Sequence, residues 1–183
     1  MTNSRRVVRL RKAATSALLT ALAVVIAPWL WFPVLGSKAY PGQHLINAIA
    51  GVLLGPWWAT LIAFMTGIIR MTLGIGTIYS MPGGIPGALI VGLCYEAFKR
   101  TKIHEKAEIA ALLEPIGTVI IGGTLTLYVV APAIGDPRTM AKPLLILWSG
   151  WALSSVPGSV LGFIILQALK RANITRKTLF GEP

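Results

Sequence analysis

Between Lys142 and Lys170 the chain carries no charged side chain. As a helix, residues 143–169 (PLLILWSGWALSSVPGSVLGFIILQAL) measure about 40 Å at about 1.5 Å per residue, against a hydrocarbon core of about 30 Å. Such a run spans a bilayer, and its excess length makes it tilt, protrude or bend. Pro157–Gly158 offers a kink. Other long apolar runs divide the rest of the chain. Only 13% of residues are charged, where a soluble domain carries about 25%. With 55% hydrophobic residues and a mean hydropathy of +0.71, the chain reads as an integral membrane protein.

Spans are expected at 15–32, 43–54, 57–73, 83–98, 108–131 and 143–169. The expected fold is all-α, a polytopic bundle of six transmembrane helices forming a single domain over 1–183. The first span follows a basic tail, as a signal peptide would, but no small-residue cleavage site follows it. Pro28, Trp29, Trp31 and Phe32 look instead like an interfacial end. An even number of spans puts both termini on one side. Of the 17 Lys and Arg residues, all but Lys38, Arg70, Arg138 and Lys142 fall on that side: in the N-tail (1–12), the 99–106 loop and the C-tail (170–183). By the positive-inside rule both termini are cytoplasmic, in a cell-membrane protein. Residues 36–42, 74–82 and 132–142 are then outside.

The net charge of +11 does not indicate nucleic-acid binding. The cations sit in gaps between spans and not on one face of a folded domain. The single Cys94 forms no intrachain disulfide and reads as packing. No G-x-x-x-x-G-K-[ST] loop is present, so ATP hydrolysis by that route is excluded. HEKAE (104–108) is not a zinc-binding H-E-x-x-H. His44 has no second His or Cys near it, so no metal site is expected.

Residues 43–54 make a helix of only about 18 Å, too short to cross alone. The loop before it must dip toward the membrane, where irregular backbone is tolerated only against protein or a cavity. That stretch, GSKAYPGQHLINAIAG (36–51), is also unusually polar, with Lys38, Tyr40, Gln43, His44 and Asn47. Gln43 and Asn47 are four apart and share a helix face. The end of the third span adds Arg70, followed by Thr77 and Ser80. The sixth adds Trp148, Trp151 and Ser155, which share one face at i, i+3 and i+7. Together these outline an aromatic and polar cavity suited to a small neutral or weakly charged heterocycle. Each has an ordinary alternative. Trp148 fits an aromatic belt, Arg70 a snorkelling cation, Ser155 a helix back-bond, and Lys38 a solvated loop charge.

Glu114 lies about one turn inside the cytoplasmic end of the fifth span. There it is expected to cap or pair with cytoplasmic Lys or Arg, and not to touch substrate. Ala13, Ala17 and Ala21 repeat every four residues on the first span, as do Ala59, Ala63 and Gly67 on the third. Such ridges serve close helix packing or docking onto another membrane subunit.

Three stretches, SKAYPGQHLINAIAGVLLGPWWA (37–59), GIIRMTLGIGTIYSMPGGIPGALIVGL (67–93) and EPIGT (114–118), resemble the ThiW family. The resemblance runs over roughly 15–175. It implies a six-helix substrate-binding (S) component of an energy-coupling factor (ECF) vitamin transporter, specific for the thiamine precursor 4-methyl-5-(2-hydroxyethyl)thiazole. It also implies a non-catalytic subunit without cofactors. Its partners would be a transmembrane coupling protein and two ATPase subunits, which hydrolyse ATP. By the same resemblance residues 36–43 close the pocket and Ala13, Ala17 and Ala21 dock on the coupling protein. The thiazole alcohol has about nine heavy atoms. At a ceiling of about 1.5 kcal/mol per atom, about 13 kcal/mol is available, enough for nanomolar binding if enclosure is near-total. Alternatives are another vitamin, such as thiamine or its pyrimidine half, or a small membrane enzyme or channel.

Overall fold

The computed structural model describes residues 2–34 and 37–181. The start of the expected pocket-closing loop, residue 36, lies outside them, as do the outermost residues of both tails. The described residues are mostly helical, with one short two-stranded hairpin among them. Helix α1 spans Thr2–Ile26, α2 Pro41–Leu54, α3 Pro56–Thr72 and α4 Ser80–Phe98. A long helical stretch, α5, covers His104–Ala133, followed by α6 Pro137–Met140, α7 Leu144–Arg171 and α8 Arg176–Phe180. The six stretches expected as spans overlap α1–α5 and α7 in sequence. Of the described helices, α4, α5 and α7 are long and apolar enough to cross a membrane.

The first helix stops at Ile26, short of the aromatic residues expected to end it. Prolines restrict the residue before them and donate no hydrogen bond, and Pro28 and Pro33 punctuate this segment. The chain then forms a two-stranded antiparallel hairpin, β1 Phe32–Val34 with β2 Ser37–Ala39, in which Pro33 faces Lys38. Its strands are only three residues each, too short to register as alternation in the sequence.

Helix α2 is the centre of the fold. It packs against α7, α4, α3 and α1, and every one of its residues but Leu45 is buried. Pro41 opens it at a position where a missing N–H costs nothing. Gly55, at φ +87°, closes it in a backbone region that disfavours side chains, and Pro56 starts α3 at once. Its composition is divided along its length. Ile46, Ile49, Val52, Leu53 and Leu54 join Ile62, Val91 and Leu166 in the apolar core. Gln43, His44 and Asn47 lie toward its other end.

Small residues on α7 let α2 sit flush against it. Gly158 meets Pro41 O and His44, and a Cβ at Gly162 would come within 2.7 Å of Ala48 Cβ. This is the close approach that G-x-x-x-G spacing permits. Helix α5 is irregular. Its turns tighten to 3₁₀ over His104–Leu113 and widen to π over Ile116–Gly122, on either side of Pro115. Wide turns of this kind recur at functional sites.

The polarity of the molecule is inverted relative to a soluble protein. Trp57 and Leu145 are 76% and 72% exposed, whereas Arg70, Glu114 and Asn47 are almost wholly buried. Contacts between Arg11 and Leu179 O, and of Lys12 with the Phe180 ring, bring the two chain ends together. The ion pairs Lys170–Glu108 and Arg176–Glu96 link α7 and α8 to the neighbouring helices.

Candidate functional site

The polar end of α2 opens into a cavity of about 640 Å³. It is bounded by the hairpin, the loops on either side of α6, the α3–α4 connection and the first turns of α7. Of the sequence-derived site residues, Lys38, Tyr40, Gln43, His44, Arg70, Thr77, Ser80 and Trp151 line it. Asn47, Trp148 and Ser155 stand outside its wall.

Arg70 is the largest fully buried side chain of the wall, 1% exposed near the end of α3. It donates to Gln43 Oε1, and its guanidinium stacks 4.1 Å from the centre of the Tyr40 ring. Gln43 donates in turn to Ser80 O at 3.2 Å, tying α2 to α4. The Tyr40 backbone N–H donates to Ser154 Oγ at 2.8 Å, so the hairpin's exit is pinned to α7. Two buried polar atoms on this wall, Arg70 Nε and Thr126 Oγ1, have no partner among the described residues. A buried polar group without a partner costs about 1–3 kcal/mol, which a polar ligand can recover.

Below the wall lies a second layer centred on Glu114, which is fully buried. Its Oε1 meets His44 Nδ1 at 2.9 Å and accepts from Asn47 Nδ2 at 3.0 Å and Thr118 Oγ1 at 2.6 Å. Its Oε2 accepts from Ser155 Oγ. The sequence-based expectation for this residue is therefore corrected: it pairs with His44 of α2, not with basic residues at the terminal end. Helix α4 makes room for it. A side chain at Gly87 would overlap Glu114 and Thr118. Asn47 Nδ2 also donates to the Gly84 carbonyl at 3.1 Å, and the single Thr118 hydroxyl proton is shared between Glu114 and the Gly83 carbonyl at 2.7 Å. Four helices thus meet on one carboxylate, which holds His44 at the cavity floor.

The site divides adjacent residues on α7. Ser154 lines the cavity and receives Tyr40, whereas Ser155 turns inward to Glu114. Trp148 sits against Gly123 of α5, and its buried Nε1 has no partner among the described residues.

The sequence profile of the thiamine-precursor transporter protein, ThiW, matches residues 13–172. The chain belongs to the ThiW family. No curated protein and no solved structure matches it. Membership makes this membrane protein a component of thiamine-precursor transport, and makes a small molecule its cargo. In this ThiW chain Tyr79 and Asp136, at the mouth of the cavity, stand outside the sequence-derived set of site residues. Asp136 there accepts from the Tyr79 hydroxyl, from Thr139 Oγ1 at 2.7 Å and from the Arg138 and Thr139 N–H groups. The Tyr79 hydrogen bond, with those from Thr139, holds the Asp136 carboxyl down to about 2. Burial, with the Asp136 contact, pushes the Tyr79 hydroxyl up. The signal available in the sequence is the D-P-x-T run at 136–139, an N-cap pattern.

The two alanine ridges part company. Ala59, Ala63 and Gly67 are buried, and a Cβ at Gly67 would crowd Met81. Ala13, Ala17 and Ala21 are all exposed on the outer face of α1, flanked by Leu18 and Leu22.

Proposed function

We propose that this ThiW protein is the substrate-binding subunit of an ECF-type importer. It captures 4-methyl-5-(2-hydroxyethyl)thiazole from outside and delivers it inward, with both termini cytoplasmic. The observation that carries this reading is the cavity at the polar end of α2, distant from the paired chain ends. It offers a donor-rich floor at His44, an aromatic wall at Trp151 and Tyr40, and a hairpin that closes one side. Lys38, Tyr40, Gln43, His44, Arg70, Thr77, Ser80 and Trp151 contact the ligand in this reading. Asn47 and Ser155 act through Glu114, as positioning residues, and Trp148 supports the α5–α7 contact.

The exposed ridge of Ala13, Ala17 and Ala21 supports a docking role, since small residues on an outward face let a partner helix approach closely. The partner is a transmembrane coupling protein carrying two ATPase subunits, which supply the energy. The cavity would also admit a molecule the size of thiamine. However, Lys38, Arg70, Arg138 and Lys142 all line it, which disfavours a ligand with a cationic ring.

Calorimetry on the purified protein tests the assignment, with the thiazole alcohol as ligand and thiamine and its pyrimidine half as controls. Heat of binding with the thiazole and none with the pyrimidine is expected. The reverse pattern overturns the thiazole assignment.

A further inference from the structure

The four Lys and Arg residues that stand apart from the basic clusters of the tails and the 99–106 loop are Lys38, Arg70, Arg138 and Lys142. They come from separate parts of the chain, and all four line the one cavity. Among the described residues none of them is in an ion pair. Arg70 is engaged with Gln43, the Ile75 carbonyl and the Tyr40 ring, and its buried Nε is unpartnered. Lys38 stacks on Trp31 at 4.5 Å. The one carboxylate of the lining, Asp136, has both oxygens occupied by Tyr79, Thr139 and the N–H groups of its own turn. It neutralises none of the four directly. Cations scattered by chance over loops would face solvent in several directions. Instead they share one cavity, Arg70 buried in its wall and Lys38, Arg138 and Lys142 nearer its surface, and like charges gathered around one cavity repel unless an anion joins them.

We propose that the cavity takes an anionic form of its heterocycle, in which a phosphate monoester or carboxylate on the ring is held by Arg70, Arg138, Lys142 and Lys38. This rests on the thiazole reading above and puts an anionic derivative of the ring ahead of the free alcohol as the preferred ligand. The ring sits toward His44 and Trp151, and the anion toward the mouth, where Arg138 and Lys142 are contributed by the segment around α6. The volume agrees. Nine heavy atoms, each given at most a water's share of about 30 Å³ in the liquid, need about 270 Å³, leaving space in about 640 Å³ for a further charged group.

The test is calorimetry on the full-length protein with four probes: the thiazole alcohol, its phosphate monoester, a carboxylated thiazole and inorganic pyrophosphate. At least one anionic thiazole is expected to bind tenfold or more tightly than the alcohol, and which one distinguishes the phosphate from the carboxylate. In the double variant Arg138→Gln/Lys142→Gln, both positions being at the surface of the mouth, the ratio of anionic to neutral affinity should fall toward one. An alcohol that binds as tightly as both anionic forms overturns the proposal. If no thiazole binds, the thiazole reading fails by itself and pyrophosphate decides the rest. Binding that the double variant loses keeps the anion site, and no binding removes it.

Discussion

Replacing Glu114 by Gln and by Leu separates the hydrogen bonds of the buried layer from its charge. Both variants remove the carboxylate, so both relieve the cost of burying a charge, several kcal/mol in a protein interior. They differ in what they leave behind. In Glu114→Gln the amide oxygen can keep the three partners of Oε1, and the amide nitrogen can donate to a Ser155 hydroxyl that turns to accept. In Glu114→Leu all four contacts go. Asn47 and Thr118 keep the Gly84 and Gly83 carbonyls, at 3.1 and 2.7 Å. His44 Nδ1 and Ser155 Oγ lose their only protein partner described. Two orphaned buried groups at about 1–3 kcal/mol each make the Leu variant less stable than the Gln variant by about 2–6 kcal/mol. The lower end also matches interhelical bonds in membranes, about 0.6 kcal/mol on average and about 1.7 at most. Equilibrium unfolding in mixed micelles, titrated with a denaturing detergent, measures the difference. A Leu variant as stable as the Gln variant would show that the carboxylate does not organise this layer.

Arg70→Lys should weaken ligand binding at least tenfold and lower stability by about 1–2 kcal/mol, because an ammonium cannot reproduce the fork to Gln43 and Ile75 or the stack on Tyr40; calorimetry and a detergent melt read the two effects. Ala17→Leu should leave binding intact and abolish uptake in cells, and lost binding would mean that the ridge packs within the subunit. Asp136→Asn should melt lower than the wild type by an amount that is constant from about pH 5 to 8. Because the folded carboxyl is depressed to about 2, its contribution is complete above the unfolded value of about 3.9 and disappears as pH falls through about 2. A difference that persists unchanged at pH 2 would rule out the Tyr79–Asp136 contact as its source.

Much of the architecture is legible in the sequence because membranes impose a coarse rule, apolar runs between charged gaps. The short α2 and the polar loop before it stand out for the same reason: length in residues converts directly to depth. Depth inside a bundle does not convert so simply. A fifth span starting at 108 puts Glu114 near an edge; the helical stretch begins at His104, and its 3₁₀ and π turns shift the register. The division between Ser154 and Ser155 is also hidden. Neighbouring helix positions lie about 100° apart, so one faces the cavity and the other a buried carboxylate, and the rotation is set by the packing of Gly158 on α2. The convergence of four isolated cations is tertiary information, since their separations along the chain carry no period.

The buried layer also has a history in time. His44 and Asn47 precede their shared acceptor by 70 and 67 residues. At a synthesis rate of about 5–20 residues per second, about 3–14 s pass between the appearance of these residues and that of Glu114. Until Glu114 is made, His44 and Asn47 lack this acceptor, and lipid supplies none in its place. The buried polar partners of α2 are complete only once α5 and then α7 have been made, and a chain truncated before Glu114 lacks the carboxylate that holds His44 at the cavity floor.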